Sequence, residues 1–301
     1  MTIALTGGTG FVGQAVIELA YKRGVPLRAL ARRDQAPREC VEWVRGDLAD
    51  NRALAALVRG ADTVLHIAGV VNAPDAAGFH LGNVAGTEAL VEAAVKAGVR
   101  RMVLVSSLAA REPGLSQYGL SKRGGEEIVR ASTLDWTIVR PPAIYGPRDR
   151  EMLELFRAAR WGVVPMPARG RASIVHVDDL ARLLVALLST DDMSGCVFEP
   201  DDGHEGGWDH AELAKAIGAA VGRNVMVPRL PAWSLMAAAR LDRLVRGKGA
   251  KLTADRVSYM VHPDWASSAD KAPPSELWKA QIPTPDGLAA TVKWYRERGW
   301  L

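Results

Sequence analysis

The feature that most restricts the possible folds is the stretch TGGTGFVG (6–13), which lies between the first predicted strand and the first predicted helix. In this context Gly7 makes a tight turn, Gly10 lets the backbone approach a pyrophosphate and Gly13 permits close helix–strand packing. The spacing can also be read as GxGxxG through Gly8. Backbone N–H groups at the start of the helix, where its dipole is positive, bind anions. We therefore expect a dinucleotide to contact Gly7, Thr9, Gly10, Phe11, Val12 and Gly13.

Short apolar runs alternate with helical patterns through the first two thirds of the chain, which predicts an α/β fold with a doubly wound, mainly parallel Rossmann sheet. We predict strands at 2–6, 26–31, 41–44, 63–68, 101–107, 136–140 and 196–200, and helices at 11–23, 51–59, 79–97 and 118–132. A strand and a helix follow in SIVHVDDLARLLVALLS. The expected domains are a dinucleotide-binding domain of 1–142 with 175–200 and a smaller, helix-rich C-terminal substrate lobe of 143–174 with 201–301.

The end of the second predicted strand indicates which dinucleotide binds. An NAD site usually has an acidic residue there to accept a hydrogen bond from the ribose 2′-hydroxyl. Here the segment reads ALARRDQ, with Ala31 at that position and Arg32 and Arg33 next. Guanidinium groups suit a 2′-phosphate, which a carboxylate would repel. We expect NADP, with NAD less favoured, although Asp34 follows immediately.

Candidate chemistry lies in SQYGLSKRGGEE, where Tyr118 and Lys122 are four residues apart at the start of a predicted helix and share one face. A phenol has an ordinary pKa near 10, and an adjacent ammonium group lowers it. Tyr118 then becomes a usable general acid or base. Ser107 follows the fifth strand, at the sheet edge where open α/β folds bind ligands. Ser106 is the alternative hydroxyl, because strand alternation directs one of the two away from the site.

Eight short segments follow one another along the chain: TGGTGFVG, GDL (46–48), HIAG (66–69), NVAGT (83–87), VLVSS, YGLSK, VRPPAIYGP (139–147) and VHVDDLA (175–181). Together, in this order, they resemble the extended short-chain dehydrogenase/reductase family, the NAD(P)-dependent epimerase/dehydratase group. The resemblance implies catalytic roles for Ser107, Tyr118 and Lys122 and an anchoring role for Asn83. It implies pairing of two copies through the helices at 79–97 and 118–132. It also implies cofactor contacts from Asp47, Leu48, Ala68, Gly69, Pro141, Pro142 and Ala143, besides Tyr118 and Lys122.

Two departures from the family pattern concern the substrate. Only ten residues separate Ser107 from Tyr118, fewer than in many sugar-nucleotide members, which shortens one wall of the site. The arginine that those members place four residues before the histidine of HVDD is Ala172 here, with Arg171 beside it. A nucleotide-diphosphate substrate is therefore less expected.

The remaining composition excludes several classes of partner. The net charge is +4, but the arginines are spread over the chain and are not interleaved with aromatic residues, so we expect no nucleic acid. The six histidines lack metal-ligand spacing, and Cys40 and Cys196 are expected to be reduced thiols of a cytoplasmic protein without a signal peptide. The basic stretch at 231–251 could lie on a membrane, but a lid over the substrate or an ordinary surface helix is favoured.

We predict an NADP-dependent oxidoreductase that transfers a hydride between the nicotinamide and a carbonyl or secondary alcohol of a small organic substrate. Two alternatives remain open. One is a nucleotide-sugar epimerase or dehydratase that retains its NAD(P). The other is a non-catalytic NAD(P)-binding subunit or sensor, which would have no need of the Tyr118–Lys122 pair.

Overall fold

The computed structural model describes residues 1–250 and 252–301, so Lys251 of the late basic stretch lies outside the described residues. The chain forms two compact units. The first unit comprises 1–141, 180–199 and 273–278, and the second comprises 142–179, 200–272 and 279–301. The assignment of dinucleotide binding and substrate binding to separate domains stays a prediction.

The described strands are β1 Ile3–Thr6, β2 Leu27–Ala31, β3 Val41–Arg45, β4 Thr63–His66, β5 Arg101–Val105, β6 Asp135–Val139, β7 Ala143–Tyr145, β8 Met166–Pro167, β9 Arg171–Ala172, β10 Ile174–His176, β11 Cys196–Phe198, β12 Trp208–Asp209, β13 Arg229–Leu230 and β14 Asp264–Trp265. The α-helices are α1 Phe11–Lys22, α2 Asn51–Val58, α3 Ala76–His80, α4 Gly86–Lys96, α5 Gln117–Ala131, α6 Leu153–Arg160, α7 Val177–Leu187, α8 His210–Val221, α9 Ala232–Arg246, α10 Ala254–Met260 and α11 Thr284–Glu297.

The first unit is built on a seven-stranded sheet with the order β11-β6-β5-β4-β1-β2-β3. Every strand pair in it is parallel. This confirms the predicted doubly wound Rossmann sheet, including the edge strand that begins at Cys196. Strand order reverses between β1 and β4, and ligands bind at the carboxyl ends of the strands beside such a switch point. The predicted strands at 63–68 and 101–107 end earlier than expected, since β4 stops at His66 and β5 at Val105.

The sheet forms because its central strands are apolar on both faces, as strands covered by helices must be. β1 and β4 are buried over their whole length. One core cluster contains Leu54 and Leu57 of α2, Leu90 of α4 and Met102 of β5, all fully buried. Burial of each large aliphatic side chain contributes about 1.5–3 kcal/mol to folding. The helices are therefore held against the sheet by their apolar faces.

The helix predicted at 79–97 is not continuous. It consists of α3, a single π-helical turn at Leu81–Ala85, and α4. The hydroxyl of Thr87 donates to the carbonyl oxygen of Asn83 at 2.8 Å, which supplies that carbonyl with a side-chain donor inside the wide turn. Isolated π turns of this kind are frequent at functional sites. Apolar periodicity alone does not reveal such a turn.

The second unit packs α6, α8 and α11 around their own core. Phe156, Ile217, Leu288 and Tyr295 are fully buried there. Trp294 and Trp300 pack against this core. Four of its short strands form the parallel pairs β10–β7 and β13–β8, and β12, β9 and β14 form a third small sheet.

One acidic side chain in the second unit gives a pH-dependent prediction. Asp149 is buried, its carboxylate accepts from the backbone N–H groups of Glu151 and Met152, and burial raises its pKa from 3.8 to about 6 despite these bonds. Between these values the folded protein binds more protons than the unfolded chain, so this group's contribution to stability falls as pH rises from about 4 to 6. The loss amounts to about 3 kcal/mol.

We therefore expect Asp149→Asn to remove this contribution to the pH dependence of the free energy of unfolding. The free energy of unfolding, measured in urea at several pH values between 4 and 7, is to be compared between the wild type and this variant. Their difference should change by about 3 kcal/mol across the interval in the stated direction. Asp270→Asn, at an exposed aspartate, is the matched control and should give a difference that does not vary with pH. A flat difference for Asp149→Asn would refute the assignment.

Candidate functional site

The glycine loop has the geometry that a dinucleotide requires. Gly7 has φ +76°, and a Cβ there would lie 2.6 Å from the backbone nitrogen of Ala68. A Cβ on Gly13 would collide with the carbonyl oxygen of Gly7. A Cβ on Gly10 meets only that same oxygen, at 3.2 Å, so the outer side of the turn is open. Gly7 and Gly13 are thus required by the fold, and Gly10 leaves room for a phosphate group.

The start of α1 is suited to an anion. Gly10 is its N-cap and offers no side-chain oxygen to the first turn, which consists of Phe11, Val12 and Gly13 and contains no carboxylate. Thr9 and Gly10 are exposed. The first-turn N–H groups of a helix have no intrahelical partner, and the helix dipole favours negative charge there. The predicted loop residues are therefore brought together at one end of α1, which is suited to an anion.

Arg32 and Arg33 follow β2 directly, as predicted, and both are exposed. Within 1–250 and 252–301, neither guanidinium group has a hydrogen-bond or ion-pair partner in the protein. Ala31, at the position where an NAD site usually has its acid, is the buried last residue of β2. The pair therefore presents uncompensated positive charge at the carboxyl end of a strand that neighbours the glycine loop.

The other charged groups of this region are engaged elsewhere. Asp34 forms an exposed ion pair with Arg45 at 3.2 Å. Arg28 donates to Glu42 at 2.8 Å and to the carbonyl oxygen of Arg59 at 2.6 Å, so it ties β2 to β3 and to the end of α2. Arg32 and Arg33 are therefore the arginines of this region that remain available to a 2′-phosphate.

The other residues expected to contact the cofactor also follow strand ends. After β3, Asp47 accepts from the backbone N–H of Ala49 at 2.9 Å and Leu48 packs against Gly86. After β4, Ala68 lies against the glycine loop, and a Cβ on Gly69 would lie 3.1 Å from Nζ of Lys122. The carboxyl edge of β3 and β4 thus carries all four residues. Pro141 follows β6 in the first unit, whereas Pro142 and Ala143 belong to the second.

His66 forms a hydrogen-bonded chain that the local sequence does not predict. The hydroxyl of Thr87 donates to Asn83, so its oxygen accepts from Nε2 of His66 at 3.0 Å. Nδ1 then accepts from the hydroxyl of Thr6 at 2.6 Å, and the oxygen of Thr6 accepts from the N–H of Ala68 at 3.2 Å. Burial lowers the pKa of His66 to about 3, so the ring is neutral. Through these hydrogen bonds the neutral ring fixes the position of the loop that follows β4.

Asn83 anchors that loop to the neighbouring helix. Its Oδ1 accepts from the N–H of Val70 at 2.7 Å, and its Nδ2 donates to the carbonyl oxygen of Val70 and to Oγ of Ser121. The hydroxyl of Ser121 in turn donates to the carbonyl oxygen of Tyr118 at 2.8 Å. The π turn therefore connects the loop after β4 with the first turn of α5, which agrees with the anchoring role expected for Asn83.

Tyr118 and Lys122 lie one turn apart at the start of α5, which Ser116 caps by accepting from Gly119. Tyr118 is half-buried and packs on the ring of Phe79, with centroids 6.1 Å apart. Lys122 is buried, and its Nζ donates to the carbonyl oxygen of Val105 at 3.0 Å. Burial lowers the pKa of Lys122 to about 8, although Glu126 opposes this shift. An ammonium group is thus held rigidly at the end of β5.

The structure distinguishes the two serines after β5. The hydroxyl of Ser106 is buried and donates to Glu126 at 2.6 Å. Ser107 is half-buried, and its oxygen accepts from the N–H of Ala109 at 3.2 Å, which leaves the hydroxyl hydrogen and a lone pair for a ligand. Ser107, rather than Ser106, therefore has the accessible hydroxyl at the sheet edge.

A buried charge network lies behind these residues and was not expected from the sequence. Arg140 binds Glu126 through two hydrogen bonds, of 2.8 and 2.7 Å, and reaches Glu199 at 3.5 Å. Arg111 pairs with the second oxygen of Glu199 at 3.6 Å. Both glutamate side chains are fully buried. Together with Ser106, the network joins α5 to the ends of β5, β6 and β11.

Other kinds of site are not indicated in the described parts of the chain. Among residues 1–250 and 252–301, no group of three potential metal ligands is found. No described helix is long and apolar enough to cross a bilayer. Asp178 lies inside the first turn of α7, and its N–H donates to Nδ1 of His176 at 3.2 Å. Arg171 donates to the carbonyl oxygens of Gly206 and Gly207, both at 2.7 Å.

A parallel sheet of this order, with a glycine turn between β1 and α1, defines the class of dinucleotide-binding α/β proteins. A family model described as NAD(P)H-binding matches residues 7–191. The chain belongs to this family, within the extended short-chain dehydrogenases/reductases, and is an NAD(P)-dependent enzyme. The non-catalytic alternative is therefore not supported. Pairing of two copies stays a prediction.

Two curated relatives are reductases. The chain is 38% identical over 308 residues to "Ceramide reductase" of Caulobacter vibrioides, covering 99% of this chain and 96% of the relative. It is 30% identical over 210 residues to "2-alkyl-3-oxoalkanoate reductase" of Stenotrophomonas maltophilia, covering 60% of this chain and 63% of the relative. Among solved structures, MoeE5 in complex with UDP-glucose and NAD has a TM-score of 0.76 at 22% identity and covers 99% of both chains. At that identity the similarity concerns the fold.

Proposed function

We propose that the protein is an NADPH-dependent ketoreductase that converts a ketone on a long-chain, ceramide-type lipid into a secondary alcohol. The observation that carries the reductase assignment is the buried ammonium group of Lys122, fixed to the end of β5 and one turn after Tyr118, with the accessible hydroxyl of Ser107 just beyond the same strand. The lipid class rests on the relative that matches over nearly the full length of both chains.

Each side chain of the proposed site has a separate role in the reduction. When bound, the dinucleotide supplies the hydride for the carbonyl carbon. Ser107 donates a hydrogen bond to the carbonyl oxygen and positions it. Tyr118 donates its phenolic proton to that oxygen as the alcohol forms, and the phenolate is then reprotonated from solvent. Lys122 lowers the pKa of the phenol and binds the ribose, which makes Tyr118 an effective acid near neutral pH.

Arg171 favours a ketoreductase over a sugar-nucleotide epimerase or dehydratase. Its guanidinium is occupied by two backbone carbonyl oxygens of its own unit, and its neighbour Ala172 has no charge to offer a diphosphate. A bound nucleotide diphosphate would have to compete with both hydrogen bonds. A neutral lipid ketone does not need this arginine.

Oxidation of NADPH by the purified protein tests the proposal. The substrates are a long-chain N-acyl amino ketone in detergent micelles, a short water-soluble ketone of the same head structure, and UDP-glucose. We expect net NADPH oxidation with both ketones, with recovery of the alcohol, and none with UDP-glucose. Isomerisation of UDP-glucose without net oxidation, by protein that purifies with its dinucleotide, would overturn the proposal in favour of the epimerase.

The preference for NADPH is assigned to Arg32 and Arg33. A hydrogen bond from a charged group contributes about 1.5–3 kcal/mol, so replacing both by alanine should weaken NADPH binding by about 100-fold or more. NADH, which lacks the 2′-phosphate, should bind with unchanged affinity. Titration calorimetry with both dinucleotides measures the two effects.

Arg23→Ala is the matched control for this experiment. It removes the same charge from an exposed residue at the opposite end of α1 and should leave both affinities unchanged. If the wild type binds NADH as tightly as NADPH, or if the double variant keeps its NADPH affinity, the two arginines do not select the cofactor.

A further inference from the structure

Helix α9 has two contrasting faces in the second unit. Leu235 and Ala239 are buried and cluster with Val257 of α10. The opposite face carries four large apolar side chains that are strongly exposed: Trp233 at 75%, Leu241 at 62%, Leu244 at 84% and Val245 at 75%. Single exposed apolar residues are ordinary, but a contiguous group on one helix face marks an interaction surface.

The arginines of α9 lie along one side of this apolar face. Arg240, Arg243 and Arg246 are all exposed. The helix contains a single acid, Asp242, whose side chain is only 16% exposed and which accepts from the N–H of Leu252 and pairs with Arg246. The exposed surface of α9 is therefore apolar and cationic at once, with a tryptophan at its N-terminal end.

We propose that α9 docks the protein onto a bilayer that contains anionic lipid, lying in the plane of the interface. A helix with apolar residues on one face and arginines beside them binds such a surface by burying the former among acyl chains and placing the latter at phosphate groups. At about 22 Å, α9 lies along the interface and does not span it.

A second copy of the chain fits this face less well. In a two-fold dimer built on α9, each copy would present the same residues to the other. The three arginines of one helix would then face those of its partner with no exposed carboxylate on either α9. An anionic bilayer can bind both the apolar and the cationic part of the surface. We therefore favour membrane binding over the lid or ordinary surface helix that the sequence favoured for this stretch.

The proposal rests on the faces of α9 and not on the substrate, although it would explain how the lipid ketone of the proposed function reaches the enzyme. Sedimentation of the full-length protein with vesicles tests it. We expect binding to phosphatidylcholine vesicles that contain one third phosphatidylglycerol, weaker binding to pure phosphatidylcholine, and a fall to that weaker level when high salt screens the charges. Failure of the wild type to bind anionic vesicles would overturn the proposal.

Substitutions on α9 and elsewhere in the same unit test whether vesicle binding depends on α9. Leu241→Glu with Leu244→Glu should weaken vesicle binding by at least 100-fold. Trp161→Glu with Met226→Glu is the matched control, since both residues are exposed, apolar and in the same unit, at 88% and 69% exposure. Arg240→Gln with Arg243→Gln should remove the preference for anionic vesicles. Equal loss in the control would show that added negative charge alone abolishes binding, which contradicts a specific role for α9.

Two further readouts keep the outcomes apart. Reduction of a water-soluble ketone should be unchanged in the Leu241/Leu244 variant, which shows that it folds. If the wild type dimerises in size-exclusion chromatography with light scattering and that variant is monomeric, α9 binds a second copy and the proposal is wrong. If vesicle binding holds while no ketone is reduced, the proposed function fails and the membrane surface stands.

Discussion

Replacing Tyr118 with phenylalanine is expected to lower kcat for ketone reduction by about 10²–10⁴-fold, the usual contribution of a positioned general acid. Phenylalanine keeps the ring that packs on Phe79 and removes only the hydroxyl. The fold and the dinucleotide site should therefore survive, and the loss should fall on the chemical step. Ser107 also donates a hydrogen bond to the carbonyl oxygen, but Tyr118 is the general acid that the proposal assigns to it.

Single-turnover oxidation of bound NADPH measures this step directly, and titration of NADPH measures binding. We expect NADPH affinity to change less than threefold while the single-turnover rate falls. Tyr21→Phe, which removes a hydroxyl from an exposed tyrosine of α1, is the matched control and should retain the wild-type rate. A Tyr118→Phe protein with normal turnover would show that another group supplies the proton.

The sequence was sufficient for those parts of the fold in which local pattern and tertiary environment agree. The strands of the Rossmann sheet are apolar on both faces because helices cover them, and such runs are visible in the sequence. Gly7 and Gly13 were identifiable because their roles are steric, one requiring a positive φ and the other a close approach of backbones. The juxtaposition of Tyr118 with Lys122 follows from helical spacing alone.

Long-range polar structure was not predictable in the same way. Thr6 and His66 are 60 residues apart, and Arg140 and Glu199 are 59 apart. Nothing in the local sequence distinguishes a glutamate that will be buried beside an arginine from one on a solvated helix face. The π turn at Leu81–Ala85 depends on hydrogen bonds of Asn83 to a loop and to another helix, so apolar periodicity could not reveal it.

The buried network makes Arg140 a residue whose replacement should greatly lower stability. Its guanidinium pairs with two fully buried carboxylates. Burial lowers the pKa of Arg140, but these two carboxylates raise it by more, so the pKa is raised overall. Replacing both partners of a buried ion pair by apolar groups can be neutral, but removing one leaves a charge in a medium that solvates it poorly. Arg140→Met should therefore lower the free energy of unfolding by about 3–5 kcal/mol.

Urea unfolding at pH 7.5 and at pH 5 tests this prediction. The deficit of Arg140→Met should shrink at the lower pH, because a carboxylate that has lost its counter-ion takes up a proton and becomes neutral. Arg100→Met is the matched control: this arginine is exposed, lies 3.9 Å from the carboxylate of Asp135, and should change stability by less than about 0.5 kcal/mol. A deficit for Arg140→Met as small as that of Arg100→Met would mean that the carboxylates of Glu126 and Glu199 are stabilised by other groups, and that the network does not depend on Arg140.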